Sequence, residues 1–473
     1  MRSVALLLLL AIRSFAAIAA AGVFEVRPTN GSDSNGGGFV TGASGTDFSQ
    51  QNSAQYTFTD LASTVGTTNP CVVSSASHNF VAADVGNVMQ ISAGTNWTTG
   101  FYQIVSVASN NATLDRACGS TASLSSGTYA VGGALKTIGK ANGGMAAGNI
   151  MWVKAESTIS ISTLITINYP ASSSSQMPAV NGYTSSRGDN GQVTIQASAT
   201  LSNNPIIDFQ TNGATFANFI LDCNSQANTR GINLDGGNIR GFNLSVKNCP
   251  AVYGVQFNGT GTACELCFVT TQSGGQAFLF NNGSNDVCIF CVAYSNSVPG
   301  FVASIGGVTF IHSIAANNTG ASSDGFQLNG SQNEAVLFGI ISYKNGRDGV
   351  RFTQAQQYPM TFVNSIFYGN TGKDINMTTA QIPAGTQWFD YNAYESGSTT
   401  NVNAGTHDVT LTADPFVNGA SNNFALNGTS GGGAALKAAG FPGTLSIGGT
   451  GSAAIGVLQP AGSGGQKGFP IVQ

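Results

Sequence analysis

Charge is what this chain has least of. Lys, Arg, Asp and Glu make up 8% of its 473 residues, about a third of the share in an ordinary soluble domain. The balance is 17 Lys and Arg against 21 Asp and Glu. With no basic run or stripe, nothing advertises nucleic-acid binding. Helical periodicity is also missing, which excludes leucine-rich and helical repeats. After the N-terminus no apolar run is long enough to cross a bilayer of ~30 Å. Yet hydrophobic residues make up 42% of the chain, so it is not a disordered one.

The N-terminus, MRSVALLLLLAIRSFAAIAAAG, joins a basic residue to an apolar run and an Ala-rich end. Residues 1–21 read as a secretory signal cut near Ala19 to Gly22. The expectation is a secreted, extracellular or cell-surface protein with no membrane span after processing. Its eight cysteines then meet an oxidising environment.

What is present is repetition. From about residue 213 a pattern returns every 22 to 27 residues, as NFILDCN, FNLSVKN, LCFVTTQ, FCVAYSN, HSIAANN, GIISYKN and NSIFYGN. Aligned, these put Ile220, Leu244, Phe268, Val292, Ile314, Ile341 and Ile366 in one column, expected to face inward. A second column holds Asn224, Asn248, Gln272, Asn296, Asn318, Asn345 and Asn370. Short alternating strands follow: GINL, GVQF, AFLF, GFVA, GFQL, GVRF and DINM. A coil of short strands stacked at ~4.8 Å places like residues over like. Its apolar column fills a core, and its amides hydrogen-bond up and down the stack. A repeat near 24 residues is too short for a strand–helix–strand crossover, which takes about 30.

In these columns and x-G-Φ-x-Φ strands, roughly from residue 130 to 460, the chain resembles the pectin-lyase-like superfamily. The implied fold class is all-β: a right-handed, single-stranded parallel β-helix. GGALKTIGKANGGMAAGNIMWVKA resembles the capping start of such proteins. ADPFVNGASNNFALNGTSGGGAALKAAG is similar to their closing segment. VGNVMQISAGTNWTTGFYQIVSVASNNATLDRA alternates with period 2 and breaks at Gly, Asn and Thr, which reads as a small inserted antiparallel β-domain. The resulting division is 1–21 signal, 22–42 opening strand and loop, 43–130 inserted domain, 131–150 capping helix, 151–400 β-helix and 401–473 closing segment and tail.

Two cysteine motifs, CELC and CIFC, start 24 residues apart. Cys264 and Cys288 share a column with Phe216, Phe310, Leu337 and Phe362 and are expected to point inward. Cys267 and Cys291 are expected outward or in the bend. Ligands on opposite sides cannot converge on one ion, so no metal is expected. Disulfides between adjacent turns fit instead, as Cys267–Cys291 and Cys264–Cys288. Cys223 and Cys249 are placed to pair, and Cys71 and Cys118 to close the N-terminal module.

The superfamily resemblance brings an enzymatic possibility. Its lyases use Asp or Glu to hold calcium and Lys or Arg as base; its hydrolases use clustered aspartates. The motifs NTD, DD, GHG, RIK, WIDH and RxPxxR are all absent. The densest charged patch is SSDGFQLNG, GRDGVRFTQ and GKDINMTT, with Asp324, Asp348 and Asp374 near Lys344, Arg347, Arg351 and Lys373. Asp324, Asp348, Arg351 and Lys344 are therefore the catalytic candidates. The simpler reading is that Asp before Gly caps turn amides. His312 falls in a bend column with Asn218 and Asn364. Arg240 aligns with the apolar column of Cys264, which suggests a local bulge. His407 and Asp408 show no partner.

An outward column on the last strand of each unit holds Asn233, Gln256, Leu279, Val302, Gln327, Arg351 and Asn376. Planar polar side chains in register suit sugar hydroxyls, so Asn233, Gln256, Gln327, Arg351 and Asn376 are glycan-binding candidates. Tyr253, Tyr294, Tyr343, Tyr358 and Tyr368 could stack on sugar rings if exposed. The leading expectation is a non-catalytic extracellular protein with a surface, fibre or glycan-contacting role. The alternatives are a lyase or hydrolase of an acidic polysaccharide, and a phage-type tail or decoration protein. Expected partners are extracellular polysaccharide or surface glycan, and further copies of the chain. No cofactor is expected, apart from calcium if the chain is a lyase.

Overall fold

A computed structural model describes residues 23–38, 52–145, 148–168, 179–304, 306–330, 334–354, 359–377, 387–437 and 439–440. The expected signal peptide, Tyr358 and the tail beyond residue 440 lie outside them. The chain divides into two compact units, residues 1–152 with 172–179 and residues 153–171 with 180–473.

The first unit contains a six-stranded antiparallel sheet. In spatial order its strands are Tyr56–Ser63, Leu124–Val131, Val88–Ala93, Gly100–Ala108, Asn111–Leu114 and Val72–Val73. Alternation buries Leu61, Ile91, Ile104, Leu114 and Tyr129 on one face. Cys71 and Cys118 join across this core, closing a loop whose ends lie 47 residues apart. A five-residue helix, Ile138–Asn142, starts at Thr137, whose hydroxyl accepts from the Lys140 amide at 3.2 Å.

The second unit is a right-handed parallel β-helix. Ten short strands, from Ile165–Ile167 to Thr399–Thr400, stack into one parallel sheet. A second parallel sheet carries the longer part of each turn, in pieces such as Thr215–Asp222, Arg240–Lys247 and Ala263–Thr270. Every such piece bends at one left-handed residue: Asn218, Asn243, Leu266, Phe290, His312, Gly339, Asn364 and Tyr391, with φ from +49° to +67°. Asn and Gly tolerate this region; the others sit there at a cost of roughly 1–2 kcal/mol each. The bend resets the alternation, so residues that flank it three apart both face the interior.

That reset corrects the cysteine geometry. Cys264, Cys267, Cys288 and Cys291 are all fully buried, not split between two faces. The structure joins Cys264 to Cys267 within one turn, with Cα atoms 6.0 Å apart. Cys288 and Cys291 are thiols, so neither pair between adjacent turns is formed. Cys223 and Cys249 are bonded. Arg240 needs no bulge: Gly241 stands opposite Cys264, and a Cβ there would lie 2.8 Å from the Cys264 sulfur. Arg240 itself reaches Glu265 at the surface.

The register also corrects the aliphatic column. Ile220 stands opposite Ser245, and Ser245 opposite Phe268; Val292, Ile314, Ile341 and Ile366 follow. Leu244 belongs one column over, with Phe219 and Cys267. The column also faces away from the interior. Its neighbours Val246 and Val269 point inward, since a Cβ at Gly231 or Gly254 on the opposite sheet would meet them at 2.4 and 2.6 Å. The outward isoleucines are buried because Phe416, Phe424 and Leu436 of the closing segment pack over Val292, Ile314, Ile341 and Ile366. That segment is a hairpin of Phe416–Asn418 and Asn423–Leu426 followed by the helical turn Gly433–Leu436. The Tyr343 hydroxyl donates to Asp414 at 2.7 Å and that of Tyr294 to the Ala420 carbonyl at 2.7 Å.

Inside, phenylalanines stack turn upon turn. Phe278, Phe301 and Phe326 lie with ring centres 4.6 and 4.7 Å apart, each pair contributing about 0.5–1.5 kcal/mol beyond area burial. At the next corner the amide column is real from Gln272 onward. Asn296 donates to Asn318 (2.9 Å), Asn318 to Asn345 (2.9 Å) and Asn345 to Asn370 (3.0 Å). The same amides donate to the carbonyls of Val269, Ala293 and Ala315. Asn224 and Asn248 are not members. Both are left-handed corner residues, and the Cys223–Cys249 disulfide stands below Gln272 where the column begins.

Candidate functional site

The charged patch is built into the turns. Asp324 and Asp348 occupy one step; Asp374 falls one residue later, opposite Gly349. Asp324 accepts the Asp348 amide at 3.1 Å, Asp348 the Lys373 amide at 2.7 Å, and Asp374 the Glu395 amide at 2.9 Å. Each carboxylate thus caps the turn that follows it, and all three are buried. Arg347 grips both oxygens of Asp324, its Nε at 2.7 Å. Burial pushes the Asp324 carboxyl up, and Arg347 offsets that only partly. Burial pushes Asp374 up to about 6.

The remaining cations are also engaged. Lys344 lies 3.4 Å from Asp414 of the closing segment, and the Lys373 ammonium donates to the Gly397 carbonyl at 2.8 Å. Arg351 stands 3.9 Å from Asp348, and its buried Nε has no hydrogen-bond partner among the described residues. Among the described residues, no three His, Cys, Asp or Glu side chains converge as a metal site.

His312 is a left-handed bend residue (φ +50°) stacked on Phe290 at 5.3 Å. Burial pushes its imidazole down to about 4, so it is neutral near pH 7. His407 and Asp408 do have partners. His407 Nδ1 meets Asp390 at 2.9 Å and its ring stacks on Tyr391 at 4.4 Å. Asp408 accepts from the Asn392 amide and the Tyr394 hydroxyl. These partners lie 14 to 17 residues away along the chain, past the end of the clear repeat.

The outward column of the ten-strand sheet matches its sequence alignment at every step. Asp208, Asn233, Gln256, Leu279, Val302, Gln327, Arg351, Asn376 and Thr400 stand opposite one another in succession. Its middle is apolar: Leu279 and Val302 pack with Tyr253 into a small buried cluster. Polar residues flank it on both sides. Asn233 donates to Asp208 at 2.9 Å, Gln327 to Asn329 at 2.8 Å and Asn376 to Asp348 at 2.8 Å.

Beside this column runs a second outer ladder that the sequence reading missed. Asn258 donates to Asp235, and Asn282 donates to Asn258 at 2.5 Å. The available signal was an Asp or Asn just after each strand, hidden among many asparagines. The tyrosines are not open platforms: Tyr253 and Tyr343 are buried, and Tyr294 and Tyr368 pack under the closing segment.

No family model and no curated protein matches the chain. Among solved structures, pectate lyase Pel9A superposes with a TM-score of 0.55 at 16% identity, over 69% of this chain and 91% of that one. The tailspike protein gp49 of Pseudomonas phage LKA1 gives 0.24 at 13% identity, over 74% of this chain and 63% of that one. The alginate lyase AlyGC gives 0.24 at 8% identity, over 59% of this chain and 53% of that one. At such identities the first likeness shows the β-helix fold, and the two weaker ones carry no argument.

Proposed function

We propose that this is an extracellular, non-catalytic β-helix protein that contacts a glycan along the outer face of its ten-strand sheet. The observation behind this reading is the unbroken register of Asn233, Gln256, Gln327, Arg351 and Asn376 around the apolar step of Leu279 and Val302. Sugar rings present hydroxyls and C–H faces alternately, and a strip of amides interrupted by an apolar step suits both. The neighbouring carboxylates support the non-catalytic part, because their oxygens are occupied by turn amides and Arg347. Disulfides and the β-helix fold agree with a secreted protein.

The test is a panel of polyuronides and neutral glycans, with and without calcium, read for binding, unsaturated products and new reducing ends. The expected result is binding without turnover, weakened about tenfold, or 1.4 kcal/mol, when Gln256→Ala and Gln327→Ala are combined. Turnover abolished by Asp348→Ala or Arg351→Ala would sink the proposal in favour of a lyase or hydrolase. Light scattering adds a separate check, since a stable trimer with no glycan affinity would point to a tail or fibre role.

A further inference from the structure

Two CxxC motifs are stacked in the interior of the β-helix, and the structure closes only one of them. Cys264 stands directly opposite Cys288. Phe268 stands opposite Val292, which sets the preceding residues, Cys267 and Cys291, at one step. All four cysteines are fully buried. Each motif straddles a left-handed residue, Leu266 at φ +55° and Phe290 at φ +52°. That bend brings positions i and i+3 to the same interior face, and in the lower turn it sets the two Cα atoms 6.0 Å apart, inside the range a disulfide spans.

The surroundings are made for sulfur. Below, Gly241 leaves room that a Cβ would fill at 2.8 Å from the Cys264 sulfur. Above, Phe310 covers Cys288 in register, and the Ser313 hydroxyl accepts from the Cys291 amide at 3.3 Å and donates to the Cys288 carbonyl at 3.3 Å. Burial and the neighbouring Cys291 push the Cys288 thiol up. Cys291 also reaches the Cys264 carbonyl at 3.5 Å.

We propose that Cys288 and Cys291 are a modification site: in the mature protein they close a second within-turn disulfide, directly above Cys264–Cys267. The chemistry is thiol–disulfide exchange with a low-molecular-weight or protein disulfide of the secretory compartment. One thiolate attacks a sulfur of the oxidant and displaces its first thiol. The second cysteine then attacks the mixed disulfide and releases the other thiol. Two thiols of this chain are oxidised and one disulfide of the partner is reduced to two thiols. Because the folded coil buries all four sulfurs, the exchange takes place before the turn closes over it. The finished pair then resists reductant in the native state.

The test uses the full chain recovered from an oxidising secretory compartment. It is denatured without reductant, alkylated, and cleaved on the N-terminal side of Asp286, which separates the two motifs. The expected result is an unalkylated fragment holding Cys288 and Cys291, two hydrogens lighter than its reduced form. A further expectation is that native protein resists a millimolar phosphine that reduces the denatured protein fully. Any of three results overturns the proposal: two alkylated thiols on that fragment, a fragment cross-linked to Cys264 or Cys267, or a thiophilic metal ion retained at one per chain. None depends on a variant that has to fold.

Discussion

The amides of Gln272, Asn296, Asn318, Asn345 and Asn370 lie inside a corner of the coil, whereas those of Asn233, Gln256, Gln327 and Asn376 run at the same pitch along an outer face. Residue type and spacing are shared; water is not. From Asn296 to Asn370 the corner amides satisfy one another and the backbone carbonyls they pass, while Gln272 donates to backbone carbonyls alone. On the outer face Asn233 and Gln327 bond to the half-buried Asp208 and Asn329, and Asn376 to the buried Asp348. Burial thus makes the corner column structural, whereas the half-buried outer column is the one for which we propose a ligand.

The comparison is broken most severely at the corner. Asn318→Ala strips partners from the Ala293 carbonyl, Asn296 and Asn345 together. The expected cost is about 4 kcal/mol, at the high end for single substitutions, read as a lowered denaturation midpoint. Next comes Ile341→Ala, at about 3 kcal/mol. Its side chain is buried under Phe416 and Phe424, so the closing segment should become the first site of proteolysis. If the cost stays and proteolysis does not move, the isoleucine column faces the interior after all.

Acidity sharpens the contrast between buried and open polar groups. Burial raises Asp286 from 3.8 to about 7 and Asp374 from 3.8 to about 6. The folded chain thus holds protons that the unfolded chain has released. This stabilisation is complete below about pH 4 and is lost as pH rises through 6 to 7, an effect on the order of several kcal/mol. Asp286→Asn keeps an acceptor for the Thr262 amide and should flatten the denaturation midpoint against pH; an unchanged slope would count against the buried-acid account. The smallest effect is expected at the outer face. Gln256→Ala should change stability by less than about 0.5 kcal/mol while weakening glycan binding. A large loss of stability would make that column structural too.

Much of the solenoid was legible in the sequence. The turn length, the ten-strand register and the position of His312 at a bend all follow from like residues recurring at like places. What misled was local. Ile220 and Leu244 look equivalent, yet one extra or missing corner residue shifts them into different columns. The cysteine pairs looked as though they faced two ways, because strict alternation was assumed across a residue that resets it. The outward isoleucines looked like core because they are core, beneath a segment that returns from residues 416–436. His407 and Asp390 could not be paired from sequence, since no repeat links them.

The amino-acid sequence by itself determined the stacking. A low charge content, a repeat near 24 residues and in-register apolar and amide positions admit few structures besides a parallel coil, because only stacking satisfies them all at once. Only the tertiary structure decided which face of each strand looks inward. A single left-handed residue inverts that choice for everything after it, and the closing segment gives an outward face the composition of an inner one. The same reset puts all four cysteines of the CxxC motifs in the interior and leaves the amides of the ten-strand sheet's outer column half-buried.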